Sequence, residues 1–492
     1  MVGYKPEASF FVWREGIGTC MSLTGRIARS TIIQIVGKGI AVFFGIAGIS
    51  ILTRHLGQSG FGAYTTVISF VQFFGTLADL GLYVVSLKKI SEHGVDTDRV
   101  FSNLFTLRIV SALVFVVGTP LIVLLFPYPL EVKIGVAVVS AMSLFITLTQ
   151  VLMSVFQRAL AMARTAIAEI VGKAGFLLLI ILFTAQNLSL TWILIATVAG
   201  SGIQCLLLLI FARRHIRIRF AYDRAIWADI LRESWPVALS VALNLIYFRA
   251  DTIILSLFHS QATVGLYGAS YKVLEVLVAF PAMFAGLIIP LVTLHVSRGD
   301  HEQFRTTLQK GFDFLTTLGL PIVAGVFVLA HPIMTLIAGD DFTESGSILR
   351  VLIFAVGVIF LGTMFGYTVV IVNRQRAMIK YYLGVAIFSI AGYFLFIPSY
   401  SVWGAAGMTV ATESAIMLAS FFVVWKATRA SMSLRQAWKA AFASIIMGIA
   451  VYALRSLPLA LSVTAGVAVY AIVLAFCGGL QREMIREMIR LK

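Results

Sequence analysis

Fourteen apolar stretches separated by short polar connectors constrain this chain more than any other feature. They lie near residues 30–53, 62–87, 104–126, 134–156, 165–184 and 191–211, and then near 236–258, 265–292, 312–337, 347–372, 379–397, 403–425, 438–457 and 458–478. About 20 residues of helix cross the hydrocarbon core of a bilayer. Lipid offers backbone amides no partner, and runs this long and uniformly apolar do not alternate as barrel strands do, so each is expected to be a helix. Only 12% of the 492 residues are charged and 60% are hydrophobic, whereas soluble domains carry about a quarter charged residues. The expected fold class is all-α integral membrane, with about 14 transmembrane helices and no sizeable soluble domain.

Against 22 Asp and Glu the chain carries 38 Lys and Arg, a net charge of +16. In a soluble protein that excess would suggest nucleic acid; in a polytopic one it reports orientation, and no nucleic-acid partner is expected. With the N-terminus inside, 29 of the 38 basic residues fall on inner segments, and only four, Arg54, Lys133, Arg350 and Arg455, on outer ones. The positive-inside rule then places both termini in the cytoplasm, and the expected location is the inner (plasma) membrane. The expected order is a cytoplasmic leader at 1–29, an N-lobe at 30–211, a cytoplasmic linker at 212–235, a C-lobe at 236–425, two further spans at 426–478 and a basic cytoplasmic tail at 479–492. Within the linker, Tyr222 to Arg232 sets apolar residues at helical spacing among basic ones, which suits an interfacial helix on the inner leaflet as well as a solvated connector. The leader has no uninterrupted apolar core and does not read as a cleaved signal peptide.

An internal repeat emerges when the two sides of the linker are compared. Ile51, Leu52, Gln58, Gly62 and Tyr64 are matched 203 residues later by Ile254, Leu255, Gln261, Gly265 and Tyr267. At an offset of 216, Gln157, Arg158, Ala161, Met162 and Arg164 are matched by Asn373, Arg374, Ala377, Met378 and Lys380. Six spans is an even number, so both halves start inside and form two parallel six-helix repeats, related by an axis along the membrane normal. The last two spans stand outside the repeat.

Ionisable groups within spans are costly and usually face a protein interior or a wet cavity. Lys38 and Asp79 each lie eight residues from the inner ends of spans 1 and 2, about 12 Å deep, so antiparallel neighbours could pair them. Asp251 and Lys272 each lie seven residues from the outer ends of spans 7 and 8, with Arg249 and Glu275 at nine and ten; these pairs could meet in the outer half of the C-lobe. Glu169 and Lys173 are spaced i, i+4 on span 5 and can satisfy one another. Spans 1, 2, 7 and 8 are equivalent in the repeat, which is where an interlobe cavity would be lined. Glu413, near mid-depth in span 12, has no evident partner and reads either as a protonatable coupling site or as a neutral buried acid. Arg108 and Asp313 sit at span ends, where snorkelling accounts for them.

Catalytic constellations are absent. Gly37-Lys38 and Gly172-Lys173 lack the upstream glycine of a nucleotide-cradling loop, and His55, His93, His215, His259, His295, His301 and His331 are dispersed. Cys20, Cys205 and Cys477 lie far apart, without disulfide or metal spacing. No cofactor and no metal are expected. Pro281, Pro290, Pro321 and Pro332 fall inside spans 8 and 9 and are kink positions.

The run Arg54-His-Leu-Gly-Gln-Ser-Gly-Phe-Gly-Ala-Tyr64, followed by Ala78-Asp79-Leu-Gly-Leu82, resembles the signature of the polysaccharide-transporter family. These are the Wzx-like O-antigen or lipid-linked oligosaccharide flippases of the multidrug/oligosaccharidyl-lipid/polysaccharide exporter superfamily. Arg249-Ala-Asp251-Thr-Ile-Ile and Gly339-Asp-Asp-Phe342 add to the likeness, which covers nearly the whole chain. The resemblance implies a V-shaped, two-lobed carrier that moves a polyprenyl-diphosphate-linked glycan from the cytoplasmic to the outer leaflet by alternating access. Such a headgroup needs cations, for which Lys38, Arg54, Arg249 and Lys272 are the candidates. Glycan hydroxyls need polar and aromatic wall, for which Gln34, Gln72, Asn244, Tyr247 and Tyr271 are the candidates. Coupling to H+ or Na+ would fall to Asp79, Asp251, Glu275 or Glu413. A glycan polymerase is the natural partner, and a monomer the expected state.

Two carriers compete with this reading: a cation-coupled multidrug-type exporter and a peptidoglycan lipid-precursor flippase. An integral-membrane glycosyltransferase would need an acidic metal-diphosphate site, and Asp96 and Asp98 form the lone DxD, set among basic residues. A major-facilitator carrier would need a basic loop signature that Leu87-Lys-Lys-Ile-Ser-Glu-His does not match. The expected protein is a transporter and not an enzyme.

Overall fold

In a computed structural model of the chain, residues 23–79, 96–158, 161–213, 218–429 and 431–479 are described, together with residues 82, 89 and 216. The leader up to residue 22 and the tail from residue 480 lie outside the described residues. Those described form twelve α-helices, one 3-10 turn and no strand. In chain order the helices are α1 (Leu23–Asp79), α2 (Thr97–Val123), α3 (Leu130–Arg158), α4 (Met162–Ala185), α5 (Leu190–Ala212), α6 (Arg224–Phe258), α7 (Gln261–Ser297), α8 (His301–Ala338), α9 (Ser345–Ile371), α10 (Gln375–Thr428), α11 (Arg435–Ala453) and α12 (Leu459–Phe476). Eleven stretches among the described residues are long and apolar enough to cross a membrane.

Two helices are far too long for one crossing. α1 has 57 residues and α10 has 54, about 80 Å of rise each against a hydrocarbon core of about 30 Å. Each is divided by one residue in a non-helical conformation, Gly57 (φ 61, ψ −174) in α1 and Ser401 (φ 52, ψ −131) in α10. The polar connectors expected at 54–61 and 398–402 are therefore single-residue breaks with helix resuming at once. Glycine suits the first because a positive φ costs it nothing.

The linker also differs from expectation. Residues 224–235 are not a separate helix on the leaflet but the first turns of α6, continuous with the following span. Asp223 caps that helix, accepting from the amides of Ala225 and Ile226. It also accepts from Arg99 at 2.6 Å, which holds its carboxyl below the usual carboxylate range. Lys89 meets Asp229 at 2.5 Å and Glu233 at 2.9 Å, and the Asp229 carboxylate raises the ammonium above its ordinary range. The connector is thus pinned through Asp223 to Arg99 of α2, and Asp229 and Glu233 beside it are tied to Lys89, rather than loosely solvated.

Apolar packing is continuous across the two halves at the end where α1 breaks at Gly57. One buried cluster joins Leu52, Phe61, Tyr64 and Val67 of α1 to Ala269 of α7, Met334 of α8 and Phe342 in the 3-10 turn. Separate clusters fill the second half and the inner end of the first. The last two helices attach through Met447 and Val451 of α11 against Leu329 of α8.

Candidate functional site

The interface between the halves is built around α1 and α7. Near the Gly57 break these helices cross with backbone against backbone: a Cβ placed on Gly62 would overlap the carbonyl of Gln261, and one on Gly265 would overlap that of Gln58. Thr66 donates to the Gln261 side chain at 2.8 Å, and Gln58 donates to the carbonyl of Asp341 at 2.6 Å. Arg54, expected to meet an anionic headgroup at the outer mouth, points elsewhere. Its guanidinium donates to the carbonyls of Leu336 (2.9 Å), Ile337 (3.3 Å) and Thr335 (3.5 Å). Those are carbonyls of the last turn of α8, where intrahelical donors run out after the Gly339 amide bonds Thr335, and which carries the negative end of the helix dipole.

Deeper in the membrane the same helices carry charge. Gly37 lets α1 approach α4, since a Cβ there would press on Ala166 at 2.8 Å. The next residue, Lys38, reaches Glu169 at 2.7 Å. This corrects one expected pairing: Glu169 is taken by Lys38 rather than held by Lys173 alone, whereas the pairing expected between Lys38 and Asp79 falls on a side chain outside the described residues. One turn on, Lys173 sits 6.0 Å from the ring of Phe176 and within electrostatic range of Lys38, Glu169, Lys272 and Glu275. On the facing side, Glu275 binds Lys272 at 2.8 Å and Arg249 at 2.6 Å. The Arg249 guanidinium also stands 5.4 Å and 5.6 Å from the rings of Phe248 and Tyr271.

Six ionisable side chains from α1, α4, α6 and α7 therefore share one region: Lys38, Lys173, Arg249 and Lys272 against Glu169 and Glu275. Four cations thus face two carboxylates, with the Asp251 carboxyl within electrostatic range of Arg249. Their partial exposure, 44% for the Lys38 side chain and 16% for that of Arg249, leaves donors open to an anion. Lys173 is the member sequence reasoning set aside. Its i, i+4 spacing from Glu169 suggested a closed pair, and only the proximity of α1 reveals that Glu169 is shared.

Asp251 stands within electrostatic range of Arg249 but takes its hydrogen bonds elsewhere. Instead of Lys272 it has Tyr267 (2.6 Å), the amide and hydroxyl of Thr252 (2.6 and 3.2 Å) and Thr409 of α10 (3.3 Å) as donors, and it is buried. Tyr271 donates to the carbonyl of Phe248 at 2.9 Å and is buried, so its hydroxyl is committed within the fold. Gln34 and Gln72 are half-buried on α1, and the side chains of Asn244 and Tyr247 lie outside the described residues. Glu413 lines a cavity between α7, α9 and α10. Two side chains expected to snorkel do not: Arg108 is fully buried, with Gln150 accepting at 3.3 Å, and Asp313 is buried and accepts from Gln309 at 2.8 Å.

Comparison with known proteins places the fold. Residues 27–294 match the family model described as polysaccharide biosynthesis protein, and residues 236–378 match the MatE model. A probable low-salt glycan biosynthesis flippase of Haloferax volcanii is 23% identical over 66% of this chain and 68% of its own length. The succinoglycan biosynthesis transport protein of Rhizobium meliloti is 22% identical over 68% of each chain. Among solved structures, the lipid II flippase MurJ in an inward closed conformation superposes with a TM-score of 0.74 at 14% identity, covering 92% of this chain and all of its own. An inward-facing multidrug resistance MATE transporter gives 0.66 at 14% identity, over 81% of this chain and 97% of its own. The helices share the fold of those transporters, and with more than half its length matched the chain belongs to the polysaccharide biosynthesis protein family.

Proposed function

We propose that this protein moves a polyprenyl-diphosphate-linked oligosaccharide from the cytoplasmic to the outer leaflet of the inner membrane by alternating access, driven by an ion gradient. The observation that carries this reading is the gathering of four cations, Lys38, Lys173, Arg249 and Lys272, against Glu169 and Glu275 across both halves of the membrane interior. A diphosphate is opposite in charge to these cations, and cations desolvated on one side hold phosphate oxygens through charge-assisted hydrogen bonds. Lys38, Lys173, Arg249 and Lys272 take the headgroup role, while Arg54 closes the outer end. The names of the relatives, glycan flippase and succinoglycan transport protein, support the substrate class. A putative O-antigen transporter of Shigella dysenteriae, 24% identical over 38% of this chain, points the same way.

The breaks at Gly57 and Ser401 support fourteen crossings, with α6 counted as one. The meeting of Gly62 with Gly265, residues 203 positions apart, supports the parallel six-helix repeat, because it sets matched residues on opposite sides of one crossing. Asp251, buried among hydroxyl donors on α6, α7 and α10, is the acid best placed to exchange H+ or Na+. Glu275 is already shared by two cations. A peptidoglycan lipid precursor presents the same diphosphate, and the MurJ likeness makes it the second reading.

Deleting the gene and locating the lipid-linked glycan tests the proposal. Accumulation on the cytoplasmic leaflet, reversed by the wild type but not by Lys38→Ala or Lys272→Ala, is expected. Intact glycan export with altered drug tolerance would contradict it.

A further inference from the structure

We propose that Glu413 belongs to a sugar-binding subsite in the second half, directly inward of the diphosphate cluster. This inference rests on the headgroup reading above and adds to it the place and chemistry of glycan recognition.

The cavity that Glu413 lines has a volume of about 420 Å³ and lies between α7, α9 and α10, within the range of about 300–1,000 Å³ typical of small-molecule sites. Its wall on α7 is Val278 and Ala282. These lie three and seven residues after Glu275, on the same face of the helix, about 4.5 and 10 Å further along it. A ligand whose diphosphate is held at Lys272 and Arg249 would therefore reach this space with its next few atoms, and in a polyprenyl-diphosphate glycan those atoms are the first sugar.

The wall has the composition a sugar requires. Aliphatic side chains and the tyrosines Tyr367 and Tyr382 offer flat apolar surface, and Thr363 and Ser420 offer hydroxyls. Glu413 supplies the acceptor. It is 9% exposed, lines the space and has no hydrogen-bond or ion-pair partner among the described residues. A buried polar group without a partner is costly, and the cost is recovered if a ligand brings the donors. A carboxylate takes two hydroxyls, or a hydroxyl and an amide of an acetamido sugar, through its two oxygens. The titratable groups facing Glu413 are Tyr367 of α9 and Tyr382 and Tyr393 of α10, with no Lys or Arg in the lining. The subsite therefore favours a neutral hydrogen-bond donor, whereas the cluster above it favours an anion. A site built to pair a hydroxyl discriminates strongly against a ligand that lacks it.

The test uses the full chain in nanodiscs and two probes, undecaprenyl diphosphate and the same lipid carrying one N-acetylglucosamine. The wild type is expected to bind the glycosylated probe at least about tenfold more tightly, the order expected of hydrogen bonds to a charged acceptor. Glu413→Gln, which keeps the side-chain shape, should erase most of that ratio without changing affinity for the bare diphosphate. Tyr382→Phe should reduce it partially. A wild type with equal affinity for both probes, or a ratio untouched by Glu413→Gln, overturns the subsite. Failure of the wild type to bind bare undecaprenyl diphosphate instead overturns the reading of the cation cluster.

Discussion

The two ends of the interface between the halves are built on opposite principles, although the same helices form both. At the outer end, Gly62 and Gly265 bring α1 and α7 into backbone contact, and Arg54 ties α1 to the last turn of α8. Seven to ten residues further along α7, Lys272 and Glu275 occur, and α1 and α4 face them with Lys38, Glu169 and Lys173. In about 10–15 Å of helix the interface passes from a crossing that excludes a methyl group to one that leaves four cations partly open. Closure can be built from small residues because shape alone decides contact there. An anion site in lipid must be built from charge, with enough opposing carboxylate to hold the cations when no ligand is bound.

Separating these two roles is the purpose of the strongest perturbation, Gly62→Leu. Its side chain would have to occupy the position of the Gln261 backbone, which cannot move as a side-chain tip can. Transport is expected to fall more than about 100-fold, the order of several kcal/mol of overpacking, while binding of a polyprenyl diphosphate to the nanodisc-reconstituted protein stays near wild type. If binding falls in parallel, the two ends are not separate.

Next in size is neutralisation of the cluster. Lys272→Ala removes one donor pair and leaves Glu275 with Arg249, so diphosphate affinity and transport should drop together by about 10–100-fold. Lys38→Glu combined with Glu169→Lys keeps the 2.7 Å pair and the net charge. It should recover most of what Lys38→Glu alone loses, and a double variant as poor as the single one would tie function to the position of the cation rather than to the local field.

A smaller effect is expected of Arg54→Ala. It removes the donor to the α8 carbonyls, about 1 kcal/mol of dipole and hydrogen-bond energy, so transport should fall about fivefold with headgroup affinity unchanged, and Arg54→Lys should restore part of it. An equal loss of affinity would return Arg54 to the headgroup site.

Smallest of all is the Arg99 to Asp223 contact at the inner surface. The bond to Arg99 lowers the folded-state value of Asp223, so its contribution is fully present above the unfolded carboxyl value of about 3.9 and is lost only as pH falls through the lower folded value. Thermal stability of Asp223→Ala relative to wild type should therefore be the same at pH 7 and pH 5, and a difference that closes between those values would show another group titrating.

Depth was legible in the sequence and rotation was not. Counting residues from span ends put Arg249 and Glu275 within a residue of one another in depth, and they pair at 2.6 Å. The same counting set Asp251 level with Lys272, yet Asp251 turns to Tyr267 and Thr409, and it did not foresee that Lys38 reaches Glu169 on α4. Which face a residue presents depends on how helices far apart in sequence pack, as the approach of α1 to α4 at Gly37 shows. Arg108 was misplaced for a related reason. Proximity to a span end suggested snorkelling, but its neighbours on α3 bury it completely. Polar residues around Gly57 and Ser401 suggest loops, whereas one positive φ is enough to turn the chain.

The claim on which the rest depends is that the six shared charges hold a diphosphate. Its most direct measure is the affinity of undecaprenyl diphosphate for the reconstituted protein, compared with undecaprenyl monophosphate, in wild type and in the Lys38→Ala, Lys272→Ala double variant. The account predicts that the wild type prefers the diphosphate by tenfold or more, on the order of one charge-assisted contact, and that the double variant loses the preference. Equal affinity for the two lipids in the wild type, or a preference that survives in the double variant, would contradict it.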